Sequence, residues 1–233
     1  MTTATQTEST AMTIWKNVPF GTEFPEQDLR PERYRVKARG FEGPIDTVPK
    51  IEGVILAVRA ARWLPDPETA NEDSPHTQCE LAGPGIGQWI VNPADPESAV
   101  ESRSCAECPM NKWGTALNGG KGKACREKRL LLVLRDDEDI PVVVVAPPTS
   151  ILAVGQFETR AAARRLRLGQ IPVQLTATYQ KSGQMEWGVL KIEELGLLSN
   201  EDQADLVRRL QIGPVSDMYR AWTRPPVQHD TAF

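Results

Sequence analysis

The four cysteines are the residues of this chain whose type and spacing most directly indicate a chemistry. Cys105 and Cys108 form a C-x2-C pair, Cys125 follows it and Cys79 precedes it, in a segment where glycine and proline replace a hydrophobic pattern. A C-x2-C turn directs two thiolates at one ion, and four thiolates complete the tetrahedral shell of structural zinc. We therefore predict one structural Zn²⁺ ion bound by Cys79, Cys105, Cys108 and Cys125.

Other interpretations of these cysteines stay open. An iron–sulfur cluster also takes four thiolates, although the spacing matches none of the common cluster sequences. His76 precedes Cys79 by three residues and could replace one thiolate, and the cysteines could also be unrelated reduced thiols. A catalytic zinc is disfavoured because the chain contains no His-x-Glu of the deaminase type. We expect a protein that is not an enzyme.

Cations and tryptophans surround the cysteines in sequence. Lysine and arginine side chains can follow phosphates while an exposed aromatic ring stacks on a base, which is how sequence-tolerant binders hold single strands. The alternative is that the tryptophans belong to the core, as they often do in small domains. The candidate nucleic-acid-binding residues are Arg59, Arg62, Trp63, Lys112, Trp113, Lys121, Lys123, Arg126, Lys128 and Arg129. Within this set Arg59 and Trp63 share one face of a strand, and Arg62 faces the other way.

The elements that must position these residues are mostly strands. Apolar, β-branched runs predict strands at Ile51–Leu64, Leu130–Leu134, Pro141–Ala146, Val173–Tyr179 and Met185–Ile192. A helix is predicted from Thr149 or Ser150 to about Leu168, where Gly169 ends it, and Ser199 caps a second helix that runs to about Ile212. Five strands with a helix between the third and the fourth indicate a β-rich α+β fold, an OB-fold-like barrel with a zinc-binding insertion. A mixed α+β sheet fits the same pattern.

Four segments follow from this pattern. We predict a flexible N-terminal arm at residues 1–32 and an OB-like core at residues 33–198, with the zinc-binding insertion at residues 76–129. A C-terminal helix is predicted at residues 199–212 and a flexible tail at residues 213–233. No regular periodicity marks residues 76–129, as expected where a metal organises the chain.

Taken together, several motifs resemble a family of phage and mobile-element proteins. They are Gly53-Val54-Ile55, Arg62-Trp63, Cys79, the run from Cys105 to Gly114, Gly122–Cys125, Pro141-Val142 and Pro147–Ser150, within about residues 45–195. That family is similar in plan to the zinc-containing single-stranded-DNA-binding protein of T-even phages. The resemblance implies an OB fold with a zinc-stabilised insertion that coats single-stranded DNA in replication or recombination. It also implies replication or recombination proteins as partners, reached through the C-terminal tail.

Composition sets the remaining expectations. No apolar run approaches the roughly 20 residues that a membrane helix needs, so we expect no membrane association and a cytoplasmic protein of a bacterial host cell. The formal net charge is −4, so nucleic acid would have to meet a local basic face. The same charge and the proline-rich arms favour an alternative function, a zinc-stabilised protein–protein adaptor or host-factor inhibitor that binds no nucleic acid. A metal-dependent nuclease would need a carboxylate cluster that the sequence does not show.

Overall fold

A computed structural model describes residues 31–65, 77–83, 85–92, 95, 97–117, 119–136, 138, 140–211 and 214–223. These residues form strands β1 Arg33–Lys37, β2 Gly40–Glu42, β3 Thr47–Val48, β4 Lys50–Pro65, β5 Thr77–Gly83, β6 Ile86–Ile90, β7 Val100–Ser104, β8 Arg126–Arg135, β9 Val142–Ala146, β10 Pro172–Ser182 and β11 Met185–Glu194. They also form helices α1 Ile151–Ala163, α2 Asn200–Arg209 and α3 Pro214–Thr223. Across these ranges no helix has the length and apolar character needed to cross a membrane.

One sheet contains all of these strands, and the long strand β4 is its centre. Along one edge β4 pairs antiparallel with β8 from Gly53 to Trp63. Along the other edge its beginning pairs with β10 and its end pairs with β5. The sheet order is β3-β2-β1-β9-β8-β4-β5-β6-β7, with β10 joining β4 to β11. The predicted β-rich α+β class is confirmed.

The sheet curls into a half-barrel, in which two glycines allow neighbouring backbones to approach closely. Gly188 on β11 faces the end of β1, where a Cβ would collide with the carbonyl oxygen of Lys37. Gly53 on β4 has φ +149°, and a Cβ there would collide with the carbonyl oxygen of Leu134 on β8. Only glycine fits such contacts without displacing a neighbouring strand.

Two apolar clusters cover the two faces of β8 and β9, as the alternation of side chains along a strand requires. On one face Leu131 and Val133 pack with Phe157 of α1 and with residues of β10 and β11. On the opposite face Leu132 and Leu134 pack with Val215 of α3, with α2 beside it. The C-terminal helices therefore cover one face of the central strands.

The predicted strands and both predicted hairpins are confirmed. β4 extends the predicted Ile51–Leu64 by one residue at each end, and β8 begins earlier than predicted, at Arg126. β8 pairs with β9, and β10 pairs with β11 along their whole length. The Ser199 cap is also confirmed, because its Oγ accepts a hydrogen bond from the Asp202 N–H at 3.1 Å.

The predicted end of the first helix is wrong. α1 ends at Ala163, well before Gly169. Arg165 adopts the left-handed conformation with φ 57°, and the Leu166 N–H donates to the Ala161 carbonyl at 3.0 Å. This Schellman pattern satisfies the last carbonyl groups of the helix. Arginine at the left-handed position is uncommon, so the sequence gives little warning of it.

Two segment predictions also need correction. Residues 76–129 contain β5, β6 and β7, although no periodicity marks them. The predicted tail from residue 213 contains α3, in which Val215 and Met218 are 4% and 6% exposed and pack on the sheet. Burial against the sheet stabilises a helix that the short proline-flanked sequence does not announce. The predicted N-terminal arm lies outside the described residues up to residue 30, as does His76.

Candidate metal centre and basic surfaces

The extension of the sheet beyond β4 brings all four cysteines to one place. Cys79 on β5 pairs with Leu64 of β4 on one side and with Trp89 of β6 on the other, so the three side chains share a face. Cys105 directly follows β7 and Cys125 directly precedes β8. All four cysteines line one cavity of about 20 Å³, which also includes Arg62, Leu64, Gly87, Trp89, Arg103, Met110 and Asn111.

Backbone hydrogen bonds close the loop that carries the C-x2-C pair. The Cys105 N–H donates to the Gly85 carbonyl at 2.7 Å, which ties the loop to the β5–β6 turn. The Asn111 side-chain amide donates to the Cys105 carbonyl at 2.7 Å. The Cys125 N–H donates to the Met110 carbonyl at 2.9 Å, which joins the two ends of the loop. These bonds hold the cysteine backbones near each other.

The donor set and the cavity fit one metal ion. None of the four cysteines is in a disulfide. A cavity of this volume holds about one water-sized sphere. In the part of the chain that the structure describes, however, no group of three or more histidine, cysteine or carboxylate side chains is arranged so that it could hold a metal ion. Binding of one ion would require the four thiols to move to metal–sulfur distances of about 2.3 Å.

The thiols interact electrostatically with each other and with two arginines. Burial, together with the negative charge of Cys125, Cys105 and Cys108 as thiolates, raises the pKa of Cys79 to about 11. Burial also raises the pKa of Cys105 and of Cys125, and the positive charge of Arg62 opposes that shift in both. Without a bound cation, Cys79, Cys105 and Cys125 are therefore protonated thiols at neutral pH.

Arg62 and Arg103 are the two cations of the cavity, and they differ in their contacts. The Nη1 of Arg62 is buried and has no hydrogen-bond partner within the described ranges, while its Nη2 lies 3.9 Å from the Oε2 of Glu127. Arg103 lies 4.1 Å over the centre of the Trp89 ring, and its Nη2 is 2.8 Å from the Oε2 of Glu101. Arg62 therefore carries an unused donor beside the thiols.

The cysteine loop presents an exposed tryptophan. Trp113 is 78% exposed and follows the turn at Pro109–Asn111. The Gly114 N–H donates to the Gly122 carbonyl at 3.0 Å, and the Ala124 N–H donates to the Thr115 hydroxyl at 3.1 Å, so the backbone around the ring is held. The cations of this loop are Lys112, Lys121 and Lys123; the first two are exposed, and the Lys123 Nζ lies 5.6 Å from the Trp113 ring.

A second basic and aromatic group lies on the β4–β8 pair. Register pairing places Arg59, Trp63, Arg126 and Lys128 on one face of the two strands. The Lys128 Nζ lies 4.4 Å over the Trp63 ring. Arg59 lies 5.7 Å from the ring of Trp222, which α3 contributes. These cation–π contacts hold both rings beside positive charge at the surface.

The ten predicted nucleic-acid-binding residues thus fall into three groups. Lys112, Trp113, Lys121 and Lys123 share the cysteine loop, and the β4–β8 face holds Arg59, Trp63, Arg126 and Lys128. The remaining two, Arg62 and Arg129, lie on the opposite face of β4–β8. There Arg62 enters the cysteine cavity, and the Arg129 Nη1 is 2.7 Å from the Oε1 of Glu127.

Four residues of these sites are absent from the sequence-based set. Trp222 was missed because its helix was predicted as tail. Trp89 and Arg103 were missed because β6 and β7, with the sequences IGQWI and VESRS, do not alternate between apolar and polar residues and were not predicted. Asn111 follows the C-x2-C pair closely, and only its hydrogen bond to Cys105 reveals its structural role.

Comparisons with protein-family models, with curated proteins and with solved structures find no match to this chain. The functional assignment therefore depends on the geometry described above.

Proposed function

We propose that this chain is a sequence-tolerant single-stranded-DNA-binding protein whose cysteine loop is shaped by structural zinc. The observation that carries the proposal is Trp113, a ring that is 78% exposed on a backbone held by hydrogen bonds, among three lysines. An exposed aromatic ring on a fixed backbone is available to stack on a ligand. A nucleobase stacks on such a ring while neighbouring cations contact phosphates.

The connectivity of the sheet supports an OB-type barrel. β4, β8 and β9 form a meander, α1 follows, and β10 returns to pair with β4 before β11 closes the hairpin. In OB folds oligonucleotides contact the second and third strands together with the loops between strands one and two and strands four and five. The cysteine loop occupies the first of these connections. The β10–β11 turn, where Met185 is 71% exposed, occupies the second.

Zinc is the ion that suits four thiolates from one loop and one strand. Cys79, Cys105, Cys108 and Cys125 would hold it, and it would fix the part of the loop that carries Trp113. The backbone hydrogen bonds between the loop ends are compatible with this role, because they hold the cysteines near a common centre. A structural site of this kind contributes its binding free energy to folding.

Two surfaces of the chain combine an aromatic ring with positive charge. The cysteine loop and the β4–β8 face each combine a tryptophan with two or more cations. Each group suits a base stacked beside contacted phosphates. Replication or recombination of DNA in a bacterial host cell, with protein partners bound through the C-terminal segment, is the setting that the family resemblance implies.

Fluorescence anisotropy with a labelled oligo-dT tests the proposal. We expect binding that weakens as salt rises and depends little on base sequence, with weaker binding to duplex DNA. Elemental analysis of the same preparation should show one zinc per chain, and removal of the metal by a strong chelator should weaken DNA binding. Absence of binding to single strands at low salt would refute the function, and intact DNA binding by a metal-free, folded chain would refute the role of zinc.

A further inference from the structure

A filled four-cysteine site would have a charge that its surroundings must balance. Two positive charges from a zinc ion and four negative charges from thiolates leave a net charge of about −2. Placing that charge in a half-buried cavity is costly unless N–H donors or cations lie beside the sulfur atoms. Residues that hold and orient metal ligands in this way are part of a metal site, because they set its affinity.

Arg62 is the cavity residue with a donor available for this purpose. Its Nη1 is buried without a hydrogen-bond partner among the described residues. A buried N–H left unpaired lowers stability, and more so when it carries charge. Glu127 lies 3.9 Å from the other terminal nitrogen, which anchors one side of the guanidinium and leaves Nη1 unused. The cavity that Arg62 lines contains the four thiols, which are the acceptors that a charged donor would meet once deprotonated.

We propose that Arg62 is a positioning residue of the metal site, whose Nη1 donates a hydrogen bond to a cysteine thiolate and whose charge offsets part of the negative charge of the filled site. This inference rests on the zinc site of the proposed function. It replaces the phosphate contact that the sequence predicts for Arg62. A buried nitrogen is out of reach of a phosphate in solvent, and Arg62 lies on the face of β4 opposite to Trp63.

Arg103 provides a matched comparison within the same cavity. Its guanidinium is already engaged, 4.1 Å over the Trp89 ring and 2.8 Å from the Glu101 carboxylate. Its side chain is also more exposed than that of Arg62, at 45% against 27%. Solvent screens an exposed charge, so Arg103 should contribute less to the filled site than Arg62.

The test compares Arg62→Met, Arg62→Lys and Arg103→Met with the wild-type chain. Zinc affinity is measured by competition with a chromogenic chelator, and ligand geometry by the absorption of the Co²⁺-substituted protein. We expect Arg62→Met to lower zinc affinity about 10- to 100-fold, as loss of a supporting residue typically does. Arg62→Lys keeps the charge without the planar donor fork, so we expect an intermediate loss and a shifted Co²⁺ spectrum. Arg103→Met should lower zinc affinity less than Arg62→Met does, because solvent screens its more exposed charge.

Circular dichroism and elution volume at saturating zinc establish whether each variant folds. If Arg62→Met does not fold, the affinity and spectrum of Arg62→Lys decide. Wild-type zinc affinity and an unchanged Co²⁺ spectrum in the Arg62 variants would overturn the inference, as would an equal loss in Arg103→Met. A wild-type chain without zinc would overturn the metal site and this inference with it. Failure of the oligo-dT assay alone would refute DNA binding and leave the role of Arg62 standing.

Discussion

Replacement of Trp113 by alanine is the most direct perturbation of the proposed DNA contact. The ring is 78% exposed, and the Lys123 ammonium lies 5.6 Å from the ring centre. Its removal should therefore leave folding almost unchanged, with a shift in the free energy of unfolding within about 0.5 kcal/mol, as at other surface positions. Any large effect on DNA binding then reports on the contact itself.

The size of that effect follows from base stacking. A base stacked on an aromatic side chain contributes about 1–3 kcal/mol. One such contact corresponds to a Kd raised about fivefold to about 150-fold, because about 1.4 kcal/mol is a factor of ten. Phenylalanine at this position keeps a ring, so Trp113→Phe should lose much less than Trp113→Ala.

Anisotropy with oligo-dT and chemical denaturation of the same samples measure the two quantities. Leu152→Ala is the control, because Leu152 is an apolar side chain that is 71% exposed on α1, away from the cysteine loop. It should leave DNA affinity within about twofold of wild type, as expected for a surface change outside the contact. The reasoning would be refuted if Trp113→Ala bound oligo-dT as tightly as Leu152→Ala while both remained folded.

Three further predictions concern charge, backbone and metal. Lys128→Ala should lower the slope of log affinity against log salt concentration by about 0.7, which is the value for one phosphate contact on a single strand. The control Lys191→Ala on β11 should leave this slope unchanged. Gly53→Ala should lower the free energy of unfolding by about 2–4 kcal/mol, because the new Cβ strains the backbone and collides with Leu134. Gly155→Ala in α1 should raise the free energy of unfolding by about 0.5–1 kcal/mol, because a Cβ there meets nothing within 4 Å. Urea unfolding measures both changes. Burial raises the pKa of Cys79 to about 11, so protons compete with zinc for the thiols, and zinc affinity should fall as pH is lowered from about 8 to about 6. Chelator competition across that range, with proton release measured in weak buffer, would contradict this if the affinity were independent of pH.

The sequence predicts the central strands well because their residues are apolar and bounded by turn residues. β4, β9 and the β10–β11 hairpin have such sequences, and the cap at Ser199 is a local hydrogen bond that sequence pattern can indicate. α3 could not be predicted in the same way, since tertiary contacts of Val215 and Met218 stabilise it. Local pattern identifies an element when its own residues supply the stabilisation.

The candidate metal centre likewise depends partly on local sequence and partly on tertiary contacts. Residue type alone identifies Cys79 as a potential ligand, but its approach to the other three cysteines depends on the pairing of β5 with β4 and β6. That pairing joins residues far apart in the chain, and nothing local to β5 specifies it. The role of Arg62 depends likewise on which face of β4 it occupies, and the alternation along the strand predicts only that it differs from Trp63.

Arg62 and Trp63 show why the metal site and the basic surface are linked. Adjacent residues of a strand face opposite sides, so β4 supplies one residue to the cysteine cavity and the next to the Lys128 contact. The register of β4 against β8 shifts at a bulge or irregularity between Ile55 and Ala57, and both residues lie beyond that shift. A slip of one residue beyond that bulge would move Arg62 to the surface and Trp63 toward the thiols, because the side-chain period of a strand is two. The charge balance of the cavity and the exposure of the aromatic face therefore depend on the same pairing of β4 with β8.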